Sequence, residues 1–462
     1  MNYDAVIAAV STPPGKGGVA VIRISGEGAL DVAAKVFIPK SKKKLAEITP
    51  RMQVFGNVIY RGEEIDDALL CYFKAPASYT GEDTVEISCH GGTLITRTVL
   101  EALFAAGARP AMPGEFTRRA LLFGKLSLTD AEAVSNLLDA KTEAQIMLGT
   151  ESSRSHLSQA SEGIREKITD LLSSMWARID YPDEDLGDFS DEELSEKLSA
   201  LDSDMETLLR SYKTGRAVNE GIKTTICGKP NAGKSSLYNA MLGEDRAIVT
   251  DIPGTTRDVL SAEISLGKTL LLLSDTAGIR KESDDKIELI GIERSREAIN
   301  EAELIITLFD GGKDFSAEDE DIISAVEKSG AVKIAVINKC DVATALPKEK
   351  INARFDRVLE ISALKKPEEA RISLGKVIDE LFTDETLTLG KSAVIANARQ
   401  YSSLLRAREA VLSAKSALDA GLSQDIASSE LEKALEEIKE LDGKRVNEEV
   451  LDKIFANFCV GK

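Results

Sequence analysis

The ten residues from Gly228 to Leu237 (Gly-Lys-Pro-Asn-Ala-Gly-Lys-Ser-Ser-Leu) fit G-x-x-x-x-G-K-[ST], the phosphate-binding loop. The pattern dictates its own surroundings. It needs a buried strand before it, here Ile222 to Cys227, and the first turns of a helix after it, here Ser236 to Leu242. Gly228 and Gly233 let the backbone bend and turn its N–H groups toward phosphate oxygens, and the helix N-terminus adds partial positive charge. Lys234 is expected to reach the outer phosphates, and the Ser235 hydroxyl to ligate Mg²⁺. The bland alternative is a glycine-rich turn without a ligand. The lysine and serine in register, followed by three further motifs in order, weigh against it.

The first of those motifs is Asp275-Thr276-Ala277-Gly278, after an apolar strand, where a carboxylate can hold Mg²⁺ through water and a glycine N–H can meet the γ-phosphate. The second, Asn338-Lys339-Cys340-Asp341, also follows an apolar strand. A carboxylate there accepts both N1–H and N2–H₂ of guanine, which adenine does not offer. The third, Ser362-Ala363-Leu364-Lys365, fits a loop closing over the base. Each four-residue match is weak alone; four in order at strand ends select GTP over ATP. The expected nucleotide contacts are therefore Asn231, Ala232, Gly233, Lys234, Ser235 and Ser236, then Asp275 to Gly278, Asn338, Lys339, Asp341, Ser362, Ala363 and Leu364. Between the first two motifs lies Thr250-Asp251-Ile252-Pro253-Gly254-Thr255-Thr256-Arg257-Asp258, which adds Thr250 through Thr256 to the site. Thr256 supplies the second hydroxyl for Mg²⁺, ordered while the γ-phosphate is present. Ile279 stands where Ras-like GTPases carry the glutamine that orients the attacking water. Hydrolysis then needs another group or is very slow; Glu282, Asp284, Asp285, Glu288 and Glu293 are nearby.

A chain of 462 residues is too long for one core and suggests two to four domains. No run of about 18 apolar residues predicts a membrane helix, and Met1 to Asp4 does not read as the start of a signal peptide. The cysteines at 71, 89, 227, 340 and 459 show no C-x-x-C spacing, so a reduced cytoplasm fits and a zinc site does not. The net charge of −19 argues against a broad basic surface that grips nucleic acid unaided. Residues 1–125 hold 15 Lys/Arg against 13 Asp/Glu, so any RNA contact uses a local patch, this region or a partner.

In chain order, strands are expected within 3–10, 19–24, 54–60, 68–73 and around Glu86, with helices over 29–36 and about 93–106. Arg23 lies inside an apolar strand, where its bland reading is an arginine on the solvated face. From about Phe116 the apolar period changes to 3.6 and continues to Tyr212, broken at Asp180-Tyr181-Pro182-Asp183-Glu184-Asp185. That acidic run reads as a metal site or, preferably, a solvated loop that caps the next helix. Strands and helices alternate from 221 to about 382, as in an α/β domain with a mostly parallel sheet. Helical periodicity returns at about Val394, with Leu431, Leu435, Ile438 and Leu441 on one face and a break at Asp442-Gly443. The expected architecture is multidomain: an α+β N-terminal domain over 1–120, an α-helical domain split between 121–218 and 384–462, and a P-loop α/β domain inserted at 219–383.

The phosphate loop, Asp251-Ile252-Pro253-Gly254-Thr255-Thr256-Arg257-Asp258 and Asp275-Thr276-Ala277-Gly278-Ile279-Arg280 resemble the TrmE–Era–EngA branch of GTPases. Thr12-Pro13-Pro14-Gly15-Lys16-Gly17-Gly18, Gly81-Glu82-Asp83, His90-Gly91-Gly92, Pro113-Gly114-Glu115-Phe116 and Phe458-Cys459-Val460-Gly461-Lys462 narrow it. Over its whole length the chain resembles the MnmE (TrmE) family, GTPases that modify the wobble uridine of certain tRNAs. Val460 stands where isoleucine is usual, a conservative departure. The resemblance implies a potassium ion held by Asn231, Thr250, Ile252 and Thr255 in the place of an arginine finger, promoting dimerisation of two G domains. It implies that Glu288, just before Leu289-Ile290-Gly291-Ile292-Glu293-Arg294, orients the water, although the segment from Asp275 is one residue longer than the family pattern. It further implies an N-terminal, dimerising domain like folate-binding domains, with Arg23, Glu86, Lys125 and Lys462 contacting a 5-formyl- or methylene-tetrahydrofolate. Cys459 matches the family's cysteine assigned to the modification chemistry; its bland reading is a buried thiol behind Phe455 and Phe458. The implied activity is joint: a homodimer with its FAD-containing partner MnmG, in a heterotetramer or larger complex, adds an aminomethyl or carboxymethylaminomethyl group to C5 of tRNA uridine 34.

Two rival readings stand beside this one. An Era- or EngA-like ribosome-assembly switch shares the G domain, but it should carry a basic RNA-binding module or a second phosphate loop, and neither is visible. A nucleotide-regulated scaffold is the third. Folate binding to residues 1–120 would weigh against both.

Overall fold

The computed structural model describes residues 4–41, 44–153, 156–180, 190–243, 262–274, 298–342, 346–444, 446, 448–456 and 458–461. The chain forms two compact units. One comprises Met1–Ser135, Ser153–Leu194 and Glu409–Lys462; the other comprises Asn136–Ser152 and Ser195–Arg408.

The first unit is built on a seven-stranded sheet of β1 (Ile7–Val10), β2 (Gly17–Ser25), β3 (Phe37–Pro39), β4 (Gln53–Tyr60), β5 (Glu63–Phe73), β6 (Thr84–Gly91) and β7 (Arg109–Pro110). Their spatial order is β3-β4-β5-β6-β2-β1-β7. All pairs are antiparallel except β1 with β7. Alternation along each strand sorts side chains to two faces. Ala20, Ile22 and Ile24 of β2, Leu70 of β5 and Val85 and Ile87 of β6 join the core beneath α1 (Ala29–Val36) and α2 (Thr93–Ala106). Both helices have the bounds read from the sequence. Arg23 and Glu86, directly opposed in register, take the other face. There α3 (Glu115–Leu122) lays Phe116 against Ile7, Ala9 and Ala111. The two-residue β7 was not anticipated: it holds Pro110 and is too short to show any period.

Also in this unit, helices His156–Asp180 and Gln424–Asp442 pack side by side. Ser161 Oγ bonds Asp442 where the second helix ends, and Gly443 follows in the left-handed conformation at φ 80°. The helix Glu448–Ala456 seats Leu451 and Phe455, with Phe458, on Leu128 and Ala131.

The second unit carries a six-stranded sheet of β8 (Ile222–Gly228), β9 (Ala262–Leu266), β10 (Thr269–Leu273), β11 (Leu304–Asp310), β12 (Val332–Asn338) and β13 (Arg357–Glu360), in the order β13-β12-β11-β8-β10-β9. Every pair is parallel except the β9–β10 edge. Leu304, Ile305, Ile306 and Leu308 on β11 and Ile334, Ala335, Val336 and Ile337 on β12 are buried, as expected for central strands covered on both faces.

Some boundaries differ. The helical period read as running from Phe116 to the acidic run is divided among Glu115–Leu122, Leu128–Asp139, Glu143–Ser153 and His156–Asp180. The helix expected from Val394 begins at Ala398. Val394, Ile395 and Ala396 are buried without helical structure. The Ile395 N–H donates to Ser211 Oγ at 3.0 Å, and the Ala396 carbonyl accepts from Asn219 Nδ2 at 3.2 Å. These side-chain partners replace helical hydrogen bonds. Gly215 makes room, because a Cβ there would collide with the Ile395 carbonyl. The acidic stretch 181–185 lies outside the described residues.

Candidate functional sites

The phosphate loop leaves β8 and enters the helix Lys234–Leu242. Its two glycines are needed for physical reasons. Gly228 has φ 148°, and a Cβ there would come within 2.6 Å of the Leu308 carbonyl. Gly233 has φ 101°, and a Cβ would intrude on the Asn338 carboxamide. Asn231 is left-handed at φ 61°, a conformation asparagine tolerates better than most residues. Lys234 Nζ donates to the carbonyls of Gly228 at 3.0 Å and Lys229 at 2.9 Å, which places the ammonium inside the curve of the loop. Ser235 and Ser236 occupy the first turn of the helix, both half-buried.

Asn338, at the end of β12, joins the three described motifs. Its Nδ2 donates to the Ala232 carbonyl at 3.0 Å, and its Oδ1 accepts the Ala363 N–H at 3.0 Å. Lys339 reaches back to the Asn231 carbonyl and to Asp310, each at 2.8 Å. Burial pushes the Asp310 carboxyl up, yet bonds from Lys339 and the Gly312 N–H hold it below its ordinary range. Asp341 accepts from Ser362 Oγ at 2.6 Å, and this bond holds its carboxyl low and ionised. Leu364 stands exposed in the same loop. The loop ends expected to embrace a guanine are thus tied to each other and to the phosphate cradle. Thr250, Asp251, Ile252, Pro253, Gly254, Thr255, Thr256, Asp275, Thr276, Ala277, Gly278 and Glu288 lie outside the described residues.

A second polar site occupies the outer face of the N-terminal sheet. Arg23 Nε donates to Glu86 Oε1 at 3.0 Å, and the guanidinium lies over the rings of Tyr79 at 5.2 Å and Phe116 at 5.8 Å. Arg23 is therefore not the solvated-face arginine of the bland reading; its side chain is 17% exposed. Tyr79 hydroxyl pairs with Thr117 Oγ1 at 2.9 Å. Lys125 donates to the Pro76 carbonyl at 3.0 Å, and its stem lies over Gly81, in the loop that carries Tyr79. Beside this face, residues 458–461 are clipped down. Val460 bridges Pro113, the Gly114 N–H donates to the Cys459 carbonyl at 3.3 Å, and Ser11 Oγ donates to the Gly461 carbonyl at 2.9 Å. Phe458 is buried but the Cys459 residue is exposed, which removes the buried-thiol reading. Lys462 lies outside the described residues.

The family models described as the MnmE helical domain and the GTP-binding protein TrmE N-terminus match residues 128–459 and 6–125. Among relatives, the tRNA modification GTPase MnmE of Clostridioides difficile (strain 630) is 38% identical over 464 residues, covering 100% of each chain. The chain belongs to the MnmE family. Other family members named tRNA modification GTPase MnmE, from Natranaerobius thermophilus and Thermotoga petrophila, are each 38% identical over 460 and 461 residues, covering 99% of both chains.

For this MnmE-family chain, sequence reasoning missed a buried ion cluster under the second site. Arg119 is fully buried and donates to Glu82 Oε2 at 3.0 Å, Glu115 Oε1 at 3.1 Å and the Ala5 carbonyl at 2.9 Å. Arg109 donates to the other Glu115 oxygen at 2.8 Å, as does the Met112 N–H at 2.9 Å. Burial pushes the Glu115 carboxyl up, but Arg109 and these bonds prevail and hold it low. Glu82 and Glu115 are the acids of the Gly-Glu-Asp and Pro-Gly-Glu-Phe elements, so those elements are at least partly a scaffold. The available signal was the i, i+4 spacing of Glu115 and Arg119 on one short helix.

Proposed function

We infer that this chain hydrolyses GTP to GDP and phosphate and works in tRNA modification, as the names of its MnmE-family relatives state for them. Asn338 carries the reading: one side chain bonds both the phosphate cradle and the loop that closes over the base. Lys234 and the loop N–H groups take the outer phosphates, and the ionised Asp341 takes the guanine N1–H and N2–H₂. Ser235, at a helix start, fits Mg²⁺, with Thr256 as its second hydroxyl.

Asn231, Thr250, Ile252 and Thr255 would hold potassium; the exposed, left-handed Asn231 on the loop rim fits that place. Bound there, the cation would supply positive charge at the β–γ bridge, and Glu288 would orient the water. The outer-face site fits a reduced folate. Glu86 suits the pterin amino and ring N–H donors, Arg23, Lys125 and Lys462 suit its carbonyl or carboxylates, and Tyr79 and Phe116 give an aromatic wall. A tetrahydrofolate derivative would bring the one-carbon unit, and Cys459 presents an exposed thiol beside it. Family membership supports a homodimer acting with the FAD-containing MnmG on C5 of uridine 34. It also supports the division into 1–120, 121–218, 219–383 and 384–462. Five free thiols support a cytoplasmic location. No helix among the described residues is long and apolar enough to cross a membrane.

The experiment is GTP turnover in potassium against sodium, with Asn231→Ala and Glu288→Ala, alongside titration of 5-formyl-tetrahydrofolate into wild type and Arg23→Ala. Potassium stimulation lost in both variants, with folate binding lost in Arg23→Ala, supports the full reading. Equal rates in the two salts remove the cation role, and absence of folate binding moves the chain to an Era-like switch.

A further inference from the structure

The rim of the phosphate loop carries a second lysine, Lys229, whose side chain takes no part in the contacts assigned above. Its Nζ donates to Asp319 Oδ2 at 2.6 Å and to Ser316 Oγ at 3.1 Å. The pair is sheltered: the Asp319 side chain is 2% exposed and that of Lys229 13%. The same Oδ2 accepts the Ser316 N–H at 2.9 Å, closing the capping box of the helix Ala317–Glu327. One carboxylate oxygen therefore holds both the first turn of that helix and the phosphate loop. On the far side of Pro230, Lys339 ties the Asn231 carbonyl to Asp310. Residues 229 to 231 are thus fastened at both ends to acids of one segment, running from the end of β11 to the start of the helix. The left-handed Asn231 sits in that fastened stretch, and such backbone persists where its surroundings hold it.

We propose that the Lys229–Asp319 pair is a clamp on the phosphate loop, and that Asp319 is a positioning residue governing how fast nucleotide leaves. The inference rests on the reading of this loop as the GTP cradle. The competing account is that Asp319 only caps its helix. The two differ at Lys229, whose removal opens the clamp and leaves the capping box intact. They also differ in coupling: a clamp makes the two residues one energetic unit, so their substitutions are strongly non-additive.

The test is release of a fluorescent GDP analogue from the full chain, followed by stopped flow in wild type, Lys229→Met, Lys229→Arg, Asp319→Asn and the Lys229→Met/Asp319→Asn pair. Thermal midpoints are taken in parallel. The clamp requires Lys229→Met to speed release about tenfold, a change of about 1.4 kcal/mol. Lys229→Arg should stay near wild type, and the double variant should release no faster than either single. Wild-type release from Lys229→Met, or single effects that multiply in the pair, overturns it. So does an Asp319→Asn that lowers the midpoint without changing release. Failure of the wild-type chain to bind the analogue would instead strike the reading of the cradle itself.

Discussion

Asn338 and Gly233 meet at the closed end of the phosphate loop: the carboxamide that bonds the Ala232 carbonyl fills the space a side chain at 233 would need. Gly233→Ala meets two penalties, the left-handed backbone at φ 101° and the collision with Asn338. The backbone term alone is about 1–2 kcal/mol. GDP affinity measured by titration calorimetry should fall at least about tenfold. Retained affinity would mean that Asn338 swings aside freely.

The buried cluster under the N-terminal sheet makes a sharper stability prediction. Arg119→Met leaves Glu115, fully buried, and Glu82, 10% exposed, without one cation. Breaking one partner of a buried pair typically costs about 3–5 kcal/mol. Urea unfolding of the full chain should show an early transition absent from wild type. Glu115 sets the acid side: with its folded pKa depressed, its contribution is present above the ordinary carboxylate value of about 4.3 and is lost as pH falls through the depressed one.

His90 gives a titration that can be read directly, because the chain has 2 histidines. Its Nδ1 lies 2.7 Å from Asp66 Oδ1, and that bond raises the imidazole above its ordinary value. The pair's stabilisation is full below about pH 6.5 and is lost as pH rises through the raised pKa. In ring-proton NMR, Asp66→Asn should lower the His90 midpoint. An unchanged midpoint would mean the pair does not persist in solution.

The seat of residues 458–461 depends on glycine. Gly461 has φ 102°, and a Cβ there would collide with the Val10 carbonyl. Gly461→Ala should unseat the segment, whereas Ser11→Ala removes one hydrogen bond, worth about 1 kcal/mol. Amide hydrogen exchange at Val460 and Gly461 should rise strongly in the first variant and mildly in the second. Equal, unchanged exchange would deny the seat.

The nucleotide site was legible in the sequence because its chemistry is local. A turn that must pass φ above zero three times, at Gly228, Asn231 and Gly233, and end in a lysine leaves little choice of residues, and the strands beside it are continuous apolar runs. The helices 29–36 and 93–106 were equally legible, since amphipathic period marks both and a glycine borders each, Gly28 before the first and Gly107 after the second. The pairings that bury Arg119, Arg23 and Asp319 were not. Partners such as Glu86 for Arg23 and Glu82 for Arg119 are distant in sequence, that of Asp319 is hidden behind ordinary capping, and period cannot distinguish a paired buried arginine from one facing water. Val394 to Ala396 misled for a related reason. An apolar triplet next to a helix reads as its first turn unless the Ser211 and Asn219 side chains that hold it apart are known.

The bond from Ser11 to Gly461 spans 450 residues. At about 5–20 residues per second, the ribosome makes these two partners roughly 20 to 90 seconds apart. The N-terminal sheet must wait through that interval with Val10 uncovered and the Pro113 edge unpaired, while the nucleotide-binding unit is synthesised and free to fold. The unit that holds both residues is therefore among the last to be completed.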